Sequence, residues 1–283
     1  NRLYSSMIDY AIYYRHSLRK DEFSAIEKHD IFVSAFNSSE RVRKVFENVQ
    51  ATRKVWLIHP EYGYADAELP SAVEIIQPES NSELAQVNLL LEELGPLADV
   101  TLCIDITGFM RHVLVFLIAK LSIVGVSKIT IIYAEPERYT KQEATEFSTR
   151  TAGLVRPVAG MRATNNEHAK DALILGVGFD HKLMNEVMNL KEHSAVYPIL
   201  GFPSLSPDMY QQSAVRAAQS GAPSLDDAWI TNRYFAPAND PFATAGVVSE
   251  LISRLDNADM APNVYLSPLS TKVQTLGFVL YWV

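Results

Sequence analysis

Along residues 29–134, short apolar runs alternate with longer stretches whose apolar residues recur every three or four positions. "DIFVSAF" reads as a strand, and Ser38–Gln50 as a helix with a Ser or Asn cap and Glu40 in its first turn. "KVWLIHP" is a second strand and "VEIIQP" a short third. Ser82–Leu94 is a helix closed by Gly95-Pro96. "VTLCIDI" is a strand, Gly108–Val124 a helix and "KITIIYAEP" a strand. Such alternation predicts a wound, mostly parallel sheet with helices on both faces.

The pattern then restarts. "DALILGVG" is a strand, Asp180–Leu190 a helix and "AVYPILGFP" a strand. "SLSPDMYQQSAVRAAQS" reads as a loop followed by a helix. Pro241–Asn257 is a helix, "NVYLSPL" a strand and Ser270–Val283 a helix that is expected to run on past Val283. Residues 140–170 are polar and broken by Gly153, Pro157 and Gly160, which marks a boundary. Leu3, Met7, Ile8, Ile12 and Tyr13 fall near helical spacing. The predicted class is α/β: an N-terminal helix (1–28), a Rossmann-like unit (29–150), a linker (151–170) and a second Rossmann-like unit (171–283), each sheet mostly parallel and flanked by helices.

The halves share a grammar. "DIFVSAFNSSERVRKVF" and "DALILGVGFDHKLMNEV" both run Asp, strand, turn, helix. "VTLCIDITGFMRHVLVFL" and "NVYLSPLSTKVQTLGFVL" both run strand, hydroxyl-bearing turn, basic residue (Arg111 or Lys272), apolar helix. A diverged duplication and the ordinary grammar of α/β chains both account for this.

Composition narrows the function classes. The 48% apolar content is enough for packed cores, and the net charge of −8 disfavours broad nucleic-acid or anionic-membrane binding while leaving room for a local anion pocket. A lone Cys103 excludes an internal disulfide or a Cys-rich zinc site and fits a reducing, cytosolic compartment. The start, Asn-Arg-Leu-Tyr, carries no basic-then-apolar signal pattern. His112–Ala134 is the longest apolar stretch, but Lys120, Ser122, Gly125, Ser127 and Lys128 break it into helix, turn and strand.

In wound sheets, ligands bind beyond the carboxyl ends of the strands, where helix N-termini offer free N–H groups. Four junctions there carry candidate chemistry. Asn37, Ser38, Ser39 and Arg41 form either a polar cradle for a base or phosphate or a plain helix cap. At the second, Gly108 permits close approach, Thr107 can cap, Arg111 can reach over the pocket, and Asp105 either takes hydrogen bonds from a ligand or pairs with Arg111 or His112 to hold the turn. Gly176-Val177-Gly178 opens like a dinucleotide fingerprint without its third glycine; Asp180 reads as a cap, and His181 beside it as a cleft residue. Ser267, Ser270, Thr271 and Lys272 are a phosphate grip or a capped helix, and Ser204 sits at another strand end. No P-loop, H-E-x-x-H or G-x-S-x-G pattern occurs, and His59 with Glu61 is a thin metal pair. Tyr62, Tyr64, Tyr133 and Tyr139, near strand ends, supply either stacking surface or packing.

"CIDITGFMRHVLVFLIAKL" resembles the strand–turn–helix of the CRISPR-associated Rossmann fold and its tandem relative, the SAVED domain, in prokaryotic defence systems. Asp105, Thr107 and Gly108 match the Thr-Gly turn, whereas Phe109-Met110-Arg111 replaces the usual second glycine and Thr-Lys; "SPLSTKVQTLGFVL" is similar to the last strand–helix of a second such unit. The resemblance implies recognition of a nucleotide-like anionic small molecule, cyclic or linear, between two Rossmann-like halves, switching a partner effector or a fused effector domain. A sensor without cofactor or metal is therefore the expected function, with a homo-oligomer left open. The rival is a nucleotide-acting hydrolase or glycosyl-transferring enzyme using Asp105, Glu135, Asp180, His181 or His112 as acid–base groups. A third reading is a scaffold whose loops serve only a protein partner.

Overall fold

In the first sheet, the strand residues alternate between two buried faces, as a strand with helices on both sides requires. Phe32, Trp56 and Cys103 pack on one face, and Val33, Leu102 and Ile104 on the other. A computed structural model describes residues 8–19, 21–71, 73–126, 128–135, 155–162, 165–205, 211–212, 215, 231–257 and 261–283. The chain divides into two units: His16–Ala152 with Arg156–Arg162, and Asn1–Arg15 with Gly153–Val155 and Ala163–Val283.

The first unit's strands are β1 (His29–Ala35), β2 (Ala51–Leu57), β3 (Glu74–Ile76), β4 (Leu102–Asp105) and β5 (Ile129–Ile132). They are all parallel, in the order β3-β2-β1-β4-β5. Helix α1 (Glu40–Asn48) buries Val42, Val45 and Phe46, the i, i+3, i+4 stripe that covers Phe32 and Trp56. On the opposite face, α2 (Glu83–Leu94) and α3 (Arg111–Val124) bring Leu90, Leu94, Leu117 and Leu121 onto Val33 and Ile104. The strand order reverses between β1 and β4, which makes their carboxyl ends the crevice of the unit.

The second unit contains β6 (Asp171–Gly176), β7 (Ala195–Gly201), β8 (Tyr234–Ala236) and β9 (Asn263–Pro268), parallel in the order β8-β7-β6-β9. Helix α4 (His181–Leu190) packs Met184, Val187 and Met188 on one face of that sheet. Helices α5 (Pro241–Asp256) and α6 (Lys272–Trp282) pack Val248, Leu251 and Phe278 on the other. Counted along the chain, both sheets run third, second, first, fourth. Both units are therefore Rossmann-like, as the pattern predicts.

Three expectations are corrected. Residues 8–19 and 21–28 hold short 3-10 turns at Tyr10–Ile12 and Phe23–Ala25 in place of the helix predicted over 1–28. Tyr13 instead stacks on Phe242 and Arg15 pairs with Asp240, so this segment finds local partners on α5 and presents Ile8 and Ile12 to solvent. Helix α3 begins at Arg111 rather than Gly108, and α1 at Glu40 rather than Ser38. The helix expected within 204–220, and Tyr139, fall largely or wholly outside the described residues. No helix among the described residues is long and apolar enough to cross a membrane.

Candidate functional site

The crevice of the first unit is closed by a glycine. A Cβ on Gly108 would lie 1.8 Å from the main-chain oxygen of Ala35, so no other residue lets the turn after β4 cross the end of β1. Asp105, the last residue of β4, is fully buried. Its Oδ2 accepts from Ser34 Oγ at 2.8 Å and its Oδ1 from the Thr107 N–H at 2.9 Å. Ser34 is the cross-strand neighbour of Asp105 in the β1–β4 register. The Asp105 carboxylate therefore works inside the turn. Thr107 is buried too, and its Oγ1 accepts from the Ala134 N–H at 2.9 Å instead of capping α3. That ties the exit of β4 to the exit of β5.

Around this lock stand the groups that reach solvent. The Asn37 side chain accepts from the Ser39 N–H at 2.9 Å, and the Ser38 N–H donates to the Tyr64 hydroxyl at 3.1 Å. The side chain of Ser39 makes no cap on α1. Arg41 Nη1 donates to the Ala134 oxygen at 2.8 Å. The half-buried Tyr133 phenol lies beside Arg41 and feels Arg111. Burial pushes its pKa up, with the Glu135 carboxylate adding to the rise, and the two guanidinium groups pull against it. The Tyr62 hydroxyl donates to the Gly108 oxygen at 2.9 Å. Burial pushes its pKa up to about 12, with Asn37 and Arg111 opposing. Asn37, Arg41 and Arg111 thus gather around two tyrosines at the β1–β4 crevice.

A second set of side chains lies beneath. The Met110 N–H donates to His59 Nε2 at 3.1 Å, and His59 Nδ1 lies 2.7 Å from Gln86 Oε1. Gln86 Nε2 donates to both oxygens of Glu61, at 2.9 and 3.1 Å, and His112 Nε2 lies 3.1 Å from the same carboxylate. His59 and Gln86 are fully buried. Burial raises the Glu61 pKa, but the hydrogen bonds from His112, its own main chain and Gln86 outweigh it and leave the carboxyl below its ordinary value.

No protein-family model, curated protein or solved structure matches this chain.

In the second unit the junction residues serve local ends. Asp180 caps α4, accepting from the Leu183 N–H at 3.0 Å. Thr271 caps α6, accepting from the Gln274 N–H at 3.1 Å while donating to the Ala238 oxygen at 2.7 Å. A Cβ on Gly178 would lie 1.9 Å from the Leu269 oxygen, which makes it the counterpart of Gly108. Ser270 is buried; Ser204, Ser267, Lys272 and His181 are half-buried. Of the sixteen residues singled out from sequence, Asn37, Arg41 and Arg111 meet at one crevice with an accessible side-chain edge.

Gln86 carries no sequence signal, being a helix residue that looks solvated until α2 is laid on the sheet. Tyr62 and Tyr133 do carry one, since each follows a strand by a few residues. His59 and Glu61 belong to the buried chain of side chains; among the described residues no group of three or more His, Cys, Asp and Glu could hold a metal ion.

Proposed function

We propose that the first unit binds a nucleotide-like, phosphate-bearing small molecule at the β1–β4 crevice, as a sensor that switches a partner or attached effector. One observation carries the reading. Two guanidinium groups, Arg41 and Arg111, act with the Glu135 carboxylate on one phenol, Tyr133, which follows β5 beside the strands where the order reverses. Arginine forks match phosphate oxygens, and the neighbouring tyrosine rings offer stacking surface to a base. The defence setting and the effector rest on the likeness of residues 103–121 to the CRISPR-associated Rossmann and SAVED turns.

Isothermal titration with mono-, di- and cyclic nucleotides tests it. A ligand is expected that loses about 10- to 100-fold in affinity in Arg41→Ala and in Arg111→Ala, the loss that follows removal of a charged hydrogen bond. Chromatography of the same mixtures should return the nucleotide intact; its conversion to product would support the hydrolase reading instead. Absence of heat from every nucleotide on folded protein would refute the proposal.

A further inference from the structure

The chain of side chains under the crevice has a fixed direction. A main-chain N–H can only donate, so the bond from Met110 makes His59 Nε2 an acceptor and puts the proton of neutral His59 on Nδ1. That proton points at Gln86 Oε1, which sets the amide so that its Nε2 donates to Glu61. Glu61 only accepts, and its remaining capacity is met by His112 Nε2–H. From one backbone amide, every proton along the route is assigned.

The route ends at a side chain unlike the rest. Glu61 is 4% exposed and His112 35%. With Nε2–H held by Glu61, neutral His112 carries a bare lone pair on Nδ1, and no described residue hydrogen-bonds to that nitrogen. Any second proton must arrive there. The groups bearing on it are Glu61 through Nε2, His59 and Tyr62 beside Glu61, and Arg111, its chain neighbour in the first turn of α3. Helix N-terminal amides disfavour a bare imidazolium and favour an anion, so the two charges suit arriving together. A buried, fully paired polar network rigidifies what it holds. Here it holds one imidazole in one tautomer in the first turn of α3, the helix that follows β4.

We propose that His112, oriented by the Glu61–Gln86–His59 relay, is a proton-carrying contact for the phosphoryl group of the ligand and binds it through Nδ1–H as the imidazolium. This rests on the phosphate-binding reading above and adds that binding takes up a proton. By linkage, the anion must raise the proton affinity of His112 by the same factor by which protonation tightens anion binding.

Inorganic pyrophosphate is the probe, and histidine-ring NMR of the full chain between pH about 5 and about 8 is the readout. The free protein should show neutral His112 protonated at Nε2. Saturating pyrophosphate should raise its titration midpoint by at least about one pH unit, and affinity should fall about tenfold in all from well below the free midpoint to well above the bound one. His112→Gln should bind more weakly and lose that pH dependence, with its amide spectrum confirming the fold. Glu61→Gln should leave the tautomer of His112 mixed. Pyrophosphate that binds, and depends on Arg41 and Arg111, while leaving the His112 midpoint unmoved would overturn this inference alone. Pyrophosphate that fails to bind at any pH would overturn the phosphate reading with it.

Discussion

Removing the Arg156 side chain should weaken the hold of residues 156–162 on α2, and the loss should depend on pH in a defined direction. Glu83, the first residue of α2, has a side chain with no exposed area. Arg156 grips it with two nitrogens, at 2.7 and 2.5 Å, and the Ala159 N–H adds a third bond at 2.8 Å. Chiefly through the Arg156 hydrogen bonds, the Glu83 pKa falls from 4.5 to about 2. At about 1.4 kcal/mol per pH unit that fall corresponds to roughly 3 kcal/mol. Arg156 is 43% exposed, so solvent screens part of it. Breaking a buried pair by deleting one partner costs about 3–5 kcal/mol, and here the Ala159 bond survives, so Arg156→Ala should destabilise the unit by about 2–3 kcal/mol at neutral pH. Because the folded pKa lies below the unfolded one, this stability is complete above pH about 4.5 and fades as pH falls through about 2. Urea unfolding by circular dichroism should show a midpoint lower by about 1 M at pH about 7, with the gap closing toward pH about 2.5. Amide exchange across α2 should quicken in step. A gap below about 0.5 kcal/mol at neutral pH, the level of an ordinary surface pair, would refute the reasoning, as would a gap unchanged in acid.

Gly108→Ala and Gly178→Ala each force a Cβ to within 2 Å of a backbone oxygen, so each should destabilise its own unit by about 3 kcal/mol or more, read as a lowered thermal midpoint. Asp105→Asn places an amide N–H₂ against either the Ser34 hydroxyl or the Thr107 N–H; we expect about 1–3 kcal/mol of lost stability in urea, with pyrophosphate affinity changed far less than by Arg41→Ala. Tyr62 should stay protonated to pH about 12, and since the unfolded phenol ionises near 10, stability should fall as pH rises between those values. Ultraviolet difference titration against Tyr62→Phe measures this.

The sheets were legible because their strands are apolar on both faces and their helices carry a spacing of three and four, as in Val42, Val45 and Phe46. What a single sequence hides is pairing between distant segments. Asp105 reads as a ligand residue until Ser34 is set beside it on β1, 71 positions earlier. Gly108–Met110 reads as helix because nothing local forbids it. The helix waits until Arg111 because Gly108 must lie against Ala35 and the Met110 N–H is taken by His59. Thr107 reads as a cap, but Ala134 claims its hydroxyl. The same holds for His59, Glu61, Gln86 and His112, whose partners lie 25 to 51 positions apart.

The two units answer one geometric demand in opposite ways, and this bears on where a ligand can sit. In each, the exit of the first strand meets the turn after the fourth so closely that a Cβ has no room. The first unit puts its glycine after the fourth strand, at Gly108, and the second puts it after the first strand, at Gly178. Either placement satisfies the crossing, so the glycine marks the strand order and not a shared ligand. The polar lock is not shared either. In register, Leu175 and Ser267 occupy the places of Ser34 and Asp105. Thr271 and Asp180, which could have faced a ligand, give their oxygens to helix amides. The proposed anion site accordingly draws on the first unit alone. Lys272→Ala should change pyrophosphate affinity by less than about twofold, against the tenfold or greater loss expected for Arg41→Ala. Equal losses in the two variants would show that the second unit contributes a cation after all.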